Sequence, residues 1–440
     1  MRSGSGGARE FRDAITVHEG GRRTSPSAKP FPRTGRSRAQ SKIGLALAGG
    51  GPLGGIYEIG ALTALADSLT GIDLTALDVY VGVSSGSFIA AGLANGITPL
   101  EMSRMFIESE SHREPFDPTI LLRPAFREYL RRAASLPPLA AAAVWQIIAS
   151  RDRPTLLESF ERLGRALPTG IFDNRTIDAF LARLFTAPGR TNDFRELRHR
   201  LVLVATDLDS GASVEFGAAG HDHVPISTAV QASAALPGLF PPVEIDGHHF
   251  VDGALQRTLH ASVALEHGVK LLLCINPLVP FDTRLPEGGR GSPTRLVDGG
   301  LPAVLAQTLR AIVHSRMQIG MQRYERDFPG ADVVLFEPNR HDHEMFFTNL
   351  FSYASRRRLA EHAYQKTRKE LFERRHELAP VLARHGIAID LDAVTDPERQ
   401  LVRGAGLPRT PFRGTAIAGR LKDTLDDLER WLALCQAPAR

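Results

Sequence analysis

The chain has 440 residues, of which 43% are hydrophobic, enough for one large α/β domain with an extension. Its formal charge is +4, but residues 1–40 hold nine basic and three acidic residues, so this segment carries +6 and the rest of the chain −2. A nearly neutral folded part argues against a nucleic-acid-binding groove, which needs basic residues gathered on one face. Cys274 and Cys435 are the only cysteines, and Cys274 lies in an apolar run, which argues against a disulfide framework.

The N-terminal segment, residues 1–41, is rich in Gly, Ser, Pro and Arg and has no hydrophobic periodicity, which predicts a disordered tail. This tail is either a solvated leader or an electrostatic tether to an anionic membrane surface. No apolar stretch reaches the roughly 18–20 residues that span a bilayer, and no apolar segment of a secretory signal follows the first residues. We therefore expect a cytoplasmic protein whose membrane contact, where it occurs, is peripheral.

Two strand–turn–helix units begin the ordered part of the sequence. The apolar run 43–48 predicts a strand that leads through the glycine-rich segment 49–55 into a helix over 56–69. The apolar run 79–83 predicts a second strand, which leads through a serine-rich turn into a helix over 88–94. Strand, tight turn and helix in succession are typical of a mostly parallel sheet with helices on both faces.

The remaining elements follow the same periodicity rules. Residues 100–190 are mainly helical in pattern and include the apolar run 139–148, a lid or a core helix. Later segments predict strands at 201–205, 213–216, 269–275 and 331–336, a loop at 280–295, and helices at 301–328 and 346–376. We place a catalytic domain at 42–280 and a linker with a mainly helical extension, packed on that domain, at 281–440.

The glycine-rich segment allows several interpretations. It matches G-x-G-x-x-G between a strand and a helix, as in a dinucleotide-binding turn, and Asp67 or Asp73 would then bind the ribose. Glycines allow the backbone to approach a ligand closely, and N–H groups at a helix N-terminus face negative charge. The anion is therefore either a pyrophosphate or the oxyanion of a tetrahedral intermediate. The third interpretation is a tight turn that binds nothing.

The second turn favours the oxyanion. Gly82-Val83-Ser84-Ser85-Gly86 is a G-x-S-x-G pentapeptide between a strand and a helix, the position of a nucleophile elbow that exposes a serine hydroxyl. The register selects Ser84, because an elbow centred on Ser85 would need glycines at positions 83 and 87.

These motifs resemble the patatin-like phospholipases, whose pattern combines a Gly-Gly-Gly-x-Arg/Lys-Gly loop, G-x-S-x-G and a late Asp-Gly-Gly/Ala. The corresponding segments here are 49–54, 82–86 and Asp252-Gly253-Ala254, and the blocks 205–211 and 232–242 are similar to further family blocks. The resemblance covers residues 43–280. It implies a three-layer α/β/α patatin-like fold with a mostly parallel central sheet, and a helical C-terminal part as in some bacterial members.

The resemblance also implies the chemistry. Ser84 would be the nucleophile and Asp252 its base, in a dyad that forms an acyl-enzyme without cofactor or metal. The implied oxyanion loop and elbow glycines are Gly49, Gly50, Gly51 and Gly54, and Gly82 and Gly86, respectively. The expected substrate is a lipid-type ester of a phospholipid, lysophospholipid or acylglycerol. An acyltransferase or thioesterase on the same dyad is the alternative, and a dinucleotide-binding module is a more distant one.

Leu53 departs from the family pattern, which has Arg or Lys at this position. The backbone N–H groups of Gly50 and Gly51 need no side chain, so the expected oxyanion hole remains. The missing positive charge favours a neutral lipid or a simple ester over a phosphate head group.

Other polar and aromatic residues offer alternatives. His248 or His249 would complete a three-residue site with Asp252, although solvent exposure at a strand end is the simpler expectation. Asp207 and Asp209 are expected to support the site structurally, with Asp207 as an alternative participant.

Residues 341–344 are expected to be turn residues rather than a metal site. Aromatic residues at 345–353 precede the basic run 356–358, which indicates either an interfacial helix or a helix docked on the catalytic domain.

Overall fold

The computed structural model describes residues 41–107, 123–126, 128–130, 132, 134, 167–257, 259–282, 296–342, 344–345 and 353–401. Residues 1–40 of the tail predicted at 1–41, the apolar run 139–148 and the aromatic residues at 346–351 lie outside the described residues.

One large mixed sheet organises the described residues. The described strands are β1 (Ile43–Leu47), β2 (Leu69–Thr70), β3 (Val79–Val83), β4 (Arg200–Asp207), β5 (Ser213–Phe216), β6 (Val243–Ile245), β7 (His248–Asp252), β8 (Leu271–Ile275), β9 (Asp332–Phe336) and β10 (Ala388–Ile389). Strands β2 and β10 form a separate two-stranded antiparallel sheet, and the other strands form the large one. The order across the sheet is β6-β7-β4-β3-β1-β8-β9, with β5 paired to β4. Strands β4, β3, β1, β8 and β9 run parallel, and β5, β6 and β7 add antiparallel pairs.

Helices cover both faces of this sheet. They are α1 (Gly51–Ser68), α2 (Ser85–Ala94), α3 (Pro99–Met102), α4 (Arg175–Phe185), α5 (Ile226–Ser233), α6 (Ala261–Glu266), α7 (Gly300–Asp327), α8 (Tyr353–Glu373), α9 (Arg375–Arg384) and α10 (Leu391–Thr395). Alternate strand residues point to opposite faces. Leu45 and Leu47 of β1 therefore pack with α1, α2 and α8, whereas Ala46 packs with α6 and α7. The predicted three-layer α/β/α fold with a mostly parallel sheet is confirmed.

Helix α1 is buried on nearly all sides because it lies between the sheet and α8. At Gly60 the backbone carbonyl of Ala360 occupies the space that a side chain would need, so α8 approaches α1 closely. The Tyr364 hydroxyl of α8 donates a hydrogen bond to Asp67 Oδ2 at the end of α1, 2.9 Å away. The apolar side of α8 thus docks on α1, and each fully buried large side chain there contributes about 1.5–3 kcal/mol.

The observed helix boundaries differ from the predicted ones at the glycine-rich turn, at the serine-rich turn and at the end of the basic helix. Helix α1 begins at Gly51 instead of residue 56, because the glycine-rich segment itself forms the first helical turn. Helix α2 begins at Ser85, directly after the predicted nucleophile. The long basic helix predicted over 346–376 ends at Glu373, and a separate helix follows from Arg375. None of the described helices has the length and apolar character needed to cross a membrane.

Candidate active site

Ser84 lies at a sharp turn between β3 and α2. Its backbone has φ of +54° and ψ of −124°, a conformation that residues with a side chain rarely adopt. Two glycines make the turn sterically feasible. A Cβ atom at Gly86 would lie 2.5 Å from the carbonyl oxygen of Leu47, and one at Gly82 would lie 2.5 Å from the Cα atom of Ser87. These contacts explain the two glycines of the pentapeptide in physical terms.

The hydroxyl of Ser84 donates a hydrogen bond of 2.7 Å to Asp252 Oδ2. Asp252 is the last residue of β7, which pairs with β4, the neighbour of β3 in the sheet. The sheet order therefore brings together two residues that are 168 positions apart in the sequence. Both side chains are buried, with residue exposures of 6% for Ser84 and 3% for Asp252.

Two opposing effects set the protonation of Asp252. Burial disfavours the charged carboxylate and raises its pKa, whereas hydrogen bonds from the Ser84 hydroxyl and the Ala254 N–H lower it. Burial dominates, and the pKa of Asp252 is about 6. The carboxylate is therefore ionised at neutral pH and is a stronger base than an aspartate in water.

The glycine-rich segment packs directly against the elbow. A Cβ atom at Gly49 would lie 2.7 Å from Ser84 Cβ, and one at Gly50 would lie 2.6 Å from Pro277 Cγ. Gly51 has φ of +59° and is the first residue of α1. The first N–H groups of a helix have no partner within the helix, so those of Gly51 and Ser85 are available near Ser84. Gly54 differs, since its N–H donates to the carbonyl oxygen of Gly50 at 3.0 Å.

A cavity of about 330 Å³ opens beside the pair. Ser84, Asp252 and Gly49 to Gly51 line one part of it, and most of the remaining wall is apolar. The apolar wall includes Ile56, Ile59, Phe88, Phe106, Ile177, Phe180, Leu181, Leu236, Leu239, Phe240, Leu309 and Val313. Side chains from α1, α4 and α7 and from the block 232–242 thus exclude water from Asp252, which accounts for its raised pKa.

Ser233 supports the elbow, a role that the sequence reasoning missed. The N–H of Ser84 donates to Ser233 Oγ at 2.9 Å, and this hydroxyl donates to the carbonyl oxygen of Val204 at 2.6 Å. The N–H of Asp252 donates to the carbonyl oxygen of Ala235 two residues further along. The resemblance of block 232–242 to a family block was the available signal, but it did not indicate this contact.

The histidines considered in the sequence lie apart from Ser84. His248 Nδ1 is 3.5 Å from Asp207 Oδ2, His249 Nδ1 is 3.8 Å from Asp209 Oδ2, and both imidazoles are exposed. Asp207 Oδ1 accepts the N–H of Asp209 at 2.9 Å, which closes a turn. Among the described residues that line the cavity there is no histidine.

A buried histidine that the sequence did not single out follows the Asp252 segment. His260 has φ of +45° and precedes α6, and burial lowers its pKa to about 4. It is therefore neutral at physiological pH. It does not line the cavity.

The remaining candidates also have structural partners. Asp342 is buried rather than exposed, and its Oδ2 lies 2.6 Å from His362 Nε2. No group of three metal-ligand side chains is found in the described part of the chain. Arg356 of the basic run faces the interior, where its Nη1 donates to the carbonyl oxygen of Phe106 at 3.0 Å.

The sheet, the strained serine after β3 and the glycine-rich turn at a helix N-terminus define an α/β protein with a nucleophile-elbow site. A family model described as patatin-like phospholipase matches residues 45–265, half of the chain. The chain belongs to the patatin-like phospholipase family, as its motifs predicted.

Solved structures with detectable similarity share little sequence with this chain. VipD from Legionella pneumophila is 17% identical, with 56% of this chain and 51% of that one covered and a TM-score of 0.28. The type III effector ExoU of Pseudomonas aeruginosa is 15% identical, with 76% and 53% covered and a TM-score of 0.32. Human GIVD cytosolic phospholipase A2 is 14% identical, with 55% and 41% covered and a TM-score of 0.25. The chain spans about half the length of the first two.

Proposed function

We propose that this protein is a lipid acyl hydrolase that cleaves carboxylic esters through Ser84 and Asp252. The observation that carries the proposal is the 2.7 Å hydrogen bond from the Ser84 hydroxyl to a buried carboxylate at the wall of an apolar cavity. A nucleophile bonded to its base is the usual signature of covalent catalysis by an activated hydroxyl.

In the proposed first half-reaction, Ser84 Oγ attacks the ester carbonyl carbon while its proton moves to Asp252 Oδ2. The resulting tetrahedral oxyanion collapses, the bond to the leaving alcohol breaks, and the proton on Asp252 passes to that alcohol. In the second half-reaction, water transfers a proton to Asp252 and attacks the acyl-enzyme carbonyl carbon. The second tetrahedral intermediate collapses, the bond to Ser84 Oγ breaks, and the proton on Asp252 passes to Ser84 Oγ, which releases the fatty acid and restores both residues. A base with a pKa of about 6 suits both proton transfers near neutral pH.

Backbone N–H groups of Gly50 and Gly51 would stabilise both oxyanions. Gly50 and Gly51 line the cavity together with Ser84, so the loop borders the position where the oxyanion would form. One such donor contributes about 3 kcal/mol to the lowering of the barrier in other hydrolases. The side chain of residue 53 takes no part in this interaction.

The apolar cavity wall supports a lipid substrate over a polar one. Leu236, Leu239 and Phe240 face the cavity from one side, and Ile177 and Phe180 of α4 face it from another. Each methylene group of an acyl chain that is transferred from water to such a wall contributes about 0.8 kcal/mol. An acyl chain bound there would present its carbonyl carbon to Ser84.

The proposal is tested by hydrolysis of a panel of lipids and p-nitrophenyl esters, together with labelling by a fluorophosphonate probe. Wild-type protein is expected to cleave esters and to be labelled at Ser84, and Ser84→Ala is expected to lose both properties with an unchanged circular dichroism spectrum. Ser210→Ala is the matched control, because Ser210 lies in an exposed turn. Labelling at a different serine, or hydrolysis by Ser84→Ala, would refute the assignment.

A further inference from the structure

Helix α7 has an exposed apolar row in addition to the face that lines the cavity. Ala306, Leu309 and Val313 of this helix line the cavity. A second row, spaced alternately by four and three residues, is turned away from it and consists of Leu301, Leu305, Thr308, Ile312, Ser315 and Ile319. The large apolar side chains of this row are between 49% and 68% exposed. We call the row the α7 seam, and it contains no charged residue.

A seam of this kind is typical of a helix that packs against another helix. Alternation of four and three residues gives the 3.5-residue repeat with which two helices interlock their side chains in a coiled coil. A contiguous row of large apolar side chains is unusual on the surface of a monomer and marks an interaction site. A matching partner is therefore a helix with an uncharged apolar row of similar length.

The sequence contains such a row near its C-terminus, beyond the described residues. The same spacing of four, three, four, three and four residues joins Ile417, Leu421, Thr424, Leu428, Trp431 and Cys435. Thr415 precedes this row and Pro438 follows it, which is typical of the two ends of a helix. The pattern predicts an amphipathic helix, and a helix of this kind gains most of its stability from packing of its apolar face.

We propose that residues 417–435 form a helix that packs along the α7 seam of the same chain. Both apolar rows are covered by this one contact. It gives the helical extension, which the sequence predicts to pack on the catalytic domain, a specific docking site. The contact does not depend on the proposed hydrolase function.

The length of the chain permits this contact. The described residues end at Leu401, whose N–H donates to Glu361 Oε2 of α8. Helix α1 lies between α8 and the sheet, and α7 packs on the opposite face of the sheet. With layers of about 10 Å, the axes of α8 and α7 are about 30 Å apart. Residues 402–416 extend over as much as about 50 Å, which is sufficient to connect the two sides.

Two further features favour this segment over other occupants of the seam. Helix α7 contains four arginines and two acidic residues, whereas residues 417–435 contain four acidic and three basic residues, so the two helices have opposite net charge. The connection through 402–416 also keeps the segment close to α7 at a high effective concentration. A second copy of the chain does not have this advantage.

A disulfide experiment on the full-length protein tests the contact. Cys435 ends the C-terminal row, and the other cysteine, Cys274, is buried. Leu301→Cys and Ile319→Cys each place a new thiol at one end of the α7 seam, so one of them lies near Cys435 whichever direction the segment runs. Under mild oxidation, one of these variants is expected to form an intramolecular disulfide at least about tenfold faster than the control Ser210→Cys, in an exposed turn.

Electrophoresis without reductant separates the possible products. A disulfide within one chain in Leu301→Cys or Ile319→Cys supports the proposal. Disulfide-linked dimers in these variants, in excess of those in Ser210→Cys and wild type, would assign the seam to a second copy and overturn it. Equal oxidation rates in all three variants would also overturn it.

Hydrogen exchange tests the same contact without new cysteines. Amides of residues 417–435 are expected to exchange at least about tenfold more slowly in wild type than in Ile312→Lys, which places a charge at the centre of the exposed seam. Leu208→Lys, at an exposed leucine outside the seam, is the matched control and should leave the protection unchanged. Protection that persists in Ile312→Lys, or fast exchange of these amides in wild type, would overturn the proposal. In the latter case, binding to phosphatidylcholine–phosphatidylglycerol vesicles that Ile312→Lys abolishes would assign the seam to a lipid surface.

Discussion

Ser233 holds the backbone of Ser84 in place through a hydrogen bond of 2.9 Å between Ser233 Oγ and the Ser84 N–H. The same hydroxyl donates to the carbonyl oxygen of Val204, so it connects the end of α5 to β4 and to the elbow. Ser84 has a backbone conformation that costs of order 1–3 kcal/mol, and such conformations persist where surrounding contacts hold them. We infer that Ser233 is a positioning residue for Ser84, the proposed nucleophile.

Ser233→Ala is expected to lower both stability and reactivity. Loss of the hydroxyl leaves the Ser84 N–H and one buried carbonyl oxygen without this partner, at a cost of about 1–3 kcal/mol of unfolding free energy. The rate of fluorophosphonate labelling at Ser84 is measured well below the melting temperature. It distinguishes an effect on the position of the Ser84 hydroxyl from an effect on the stability of the fold. If Ser233→Ala were destabilised but labelled at the wild-type rate, Ser233 would stabilise the fold without positioning Ser84.

Asp252→Asn is expected to reduce turnover by several orders of magnitude, to near the level of Ser84→Ala. The amide is nearly isosteric with the carboxylate, but it does not accept the serine proton. His248→Ala and His249→Ala serve as controls and are expected to retain most of the activity, because both imidazoles are exposed and lie beside Asp207 and Asp209. If the rate of single-turnover acylation in either histidine variant fell as far as in Asp252→Asn, the proposed dyad would be wrong and a three-residue site would be indicated.

The pH dependence of kcat/KM is expected to have a rising limb with its midpoint near pH 6. Burial raises the pKa of Asp252 to about 6 in the free protein, and the protonated carboxyl accepts no proton from Ser84. Activity should therefore fall about tenfold for each pH unit below this midpoint. The same midpoint is expected in His248→Ala and His249→Ala. A shifted midpoint in either variant would show that the substituted histidine, and not Asp252, gives rise to this pH dependence.

Two neighbouring glycines of the proposed oxyanion loop are expected to respond differently to substitution by alanine. At Gly50 the added methyl group would lie 2.6 Å from Pro277 Cγ and 2.7 Å from Gly54 Cα, so the loop must shift, and activity is expected to fall at least about 100-fold. At Gly51 no atom lies within 4 Å of such a methyl group, and the cost is mainly the backbone strain of about 1–2 kcal/mol. Steady-state kinetics and thermal melting of the pair would test this difference. Similar activities in both variants would argue against a fixed oxyanion loop.

Glu58 of α1 is expected to destabilise the protein as the pH rises. The side chain is fully buried, no hydrogen-bond partner for either carboxylate oxygen lies among the described residues, and burial raises its pKa well above the ordinary value. The folded state therefore keeps the proton at pH values where the unfolded state has lost it, and stability declines as the pH rises above about 4.5.

The substitution Glu58→Met replaces the buried carboxyl group by an apolar side chain of similar volume, so the pH-dependent loss of stability is removed. Urea unfolding at several pH values is expected to show a stability gain of about 1–3 kcal/mol near neutral pH that shrinks toward acidic pH. The exposed Glu325 supplies the control variant Glu325→Gln, for which we expect no pH-dependent gain. If the difference in unfolding free energy between Glu58→Met and wild type were the same at every pH, this would contradict a raised pKa of Glu58.

Local patterns in the sequence determined much of the fold and the position of the sharp turn at Ser84, the proposed nucleophile. Apolar runs of strand length predicted β1, β3, β8 and β9 because a strand buried on both faces contains few polar residues. The pentapeptide around Ser84 predicted the elbow because a sharp turn at the serine leaves no space for side chains at the two glycine positions beside it. These constraints act between neighbours in the chain, so they are visible without the rest of the molecule.

Tertiary structure decided what depends on residues far apart in the chain. The hydrogen bonds from Ser84 to Asp252 and Ser233 arise from the order β7-β4-β3 and from the close approach of α5. The raised pKa of Asp252 depends on the apolar walls around it. Leu53 alone suggested a site without positive charge, whereas folding brings Arg310 and Arg356 to the cavity wall. Distance, burial and hydration are properties of the assembled core, and a linear pattern of residues does not contain them.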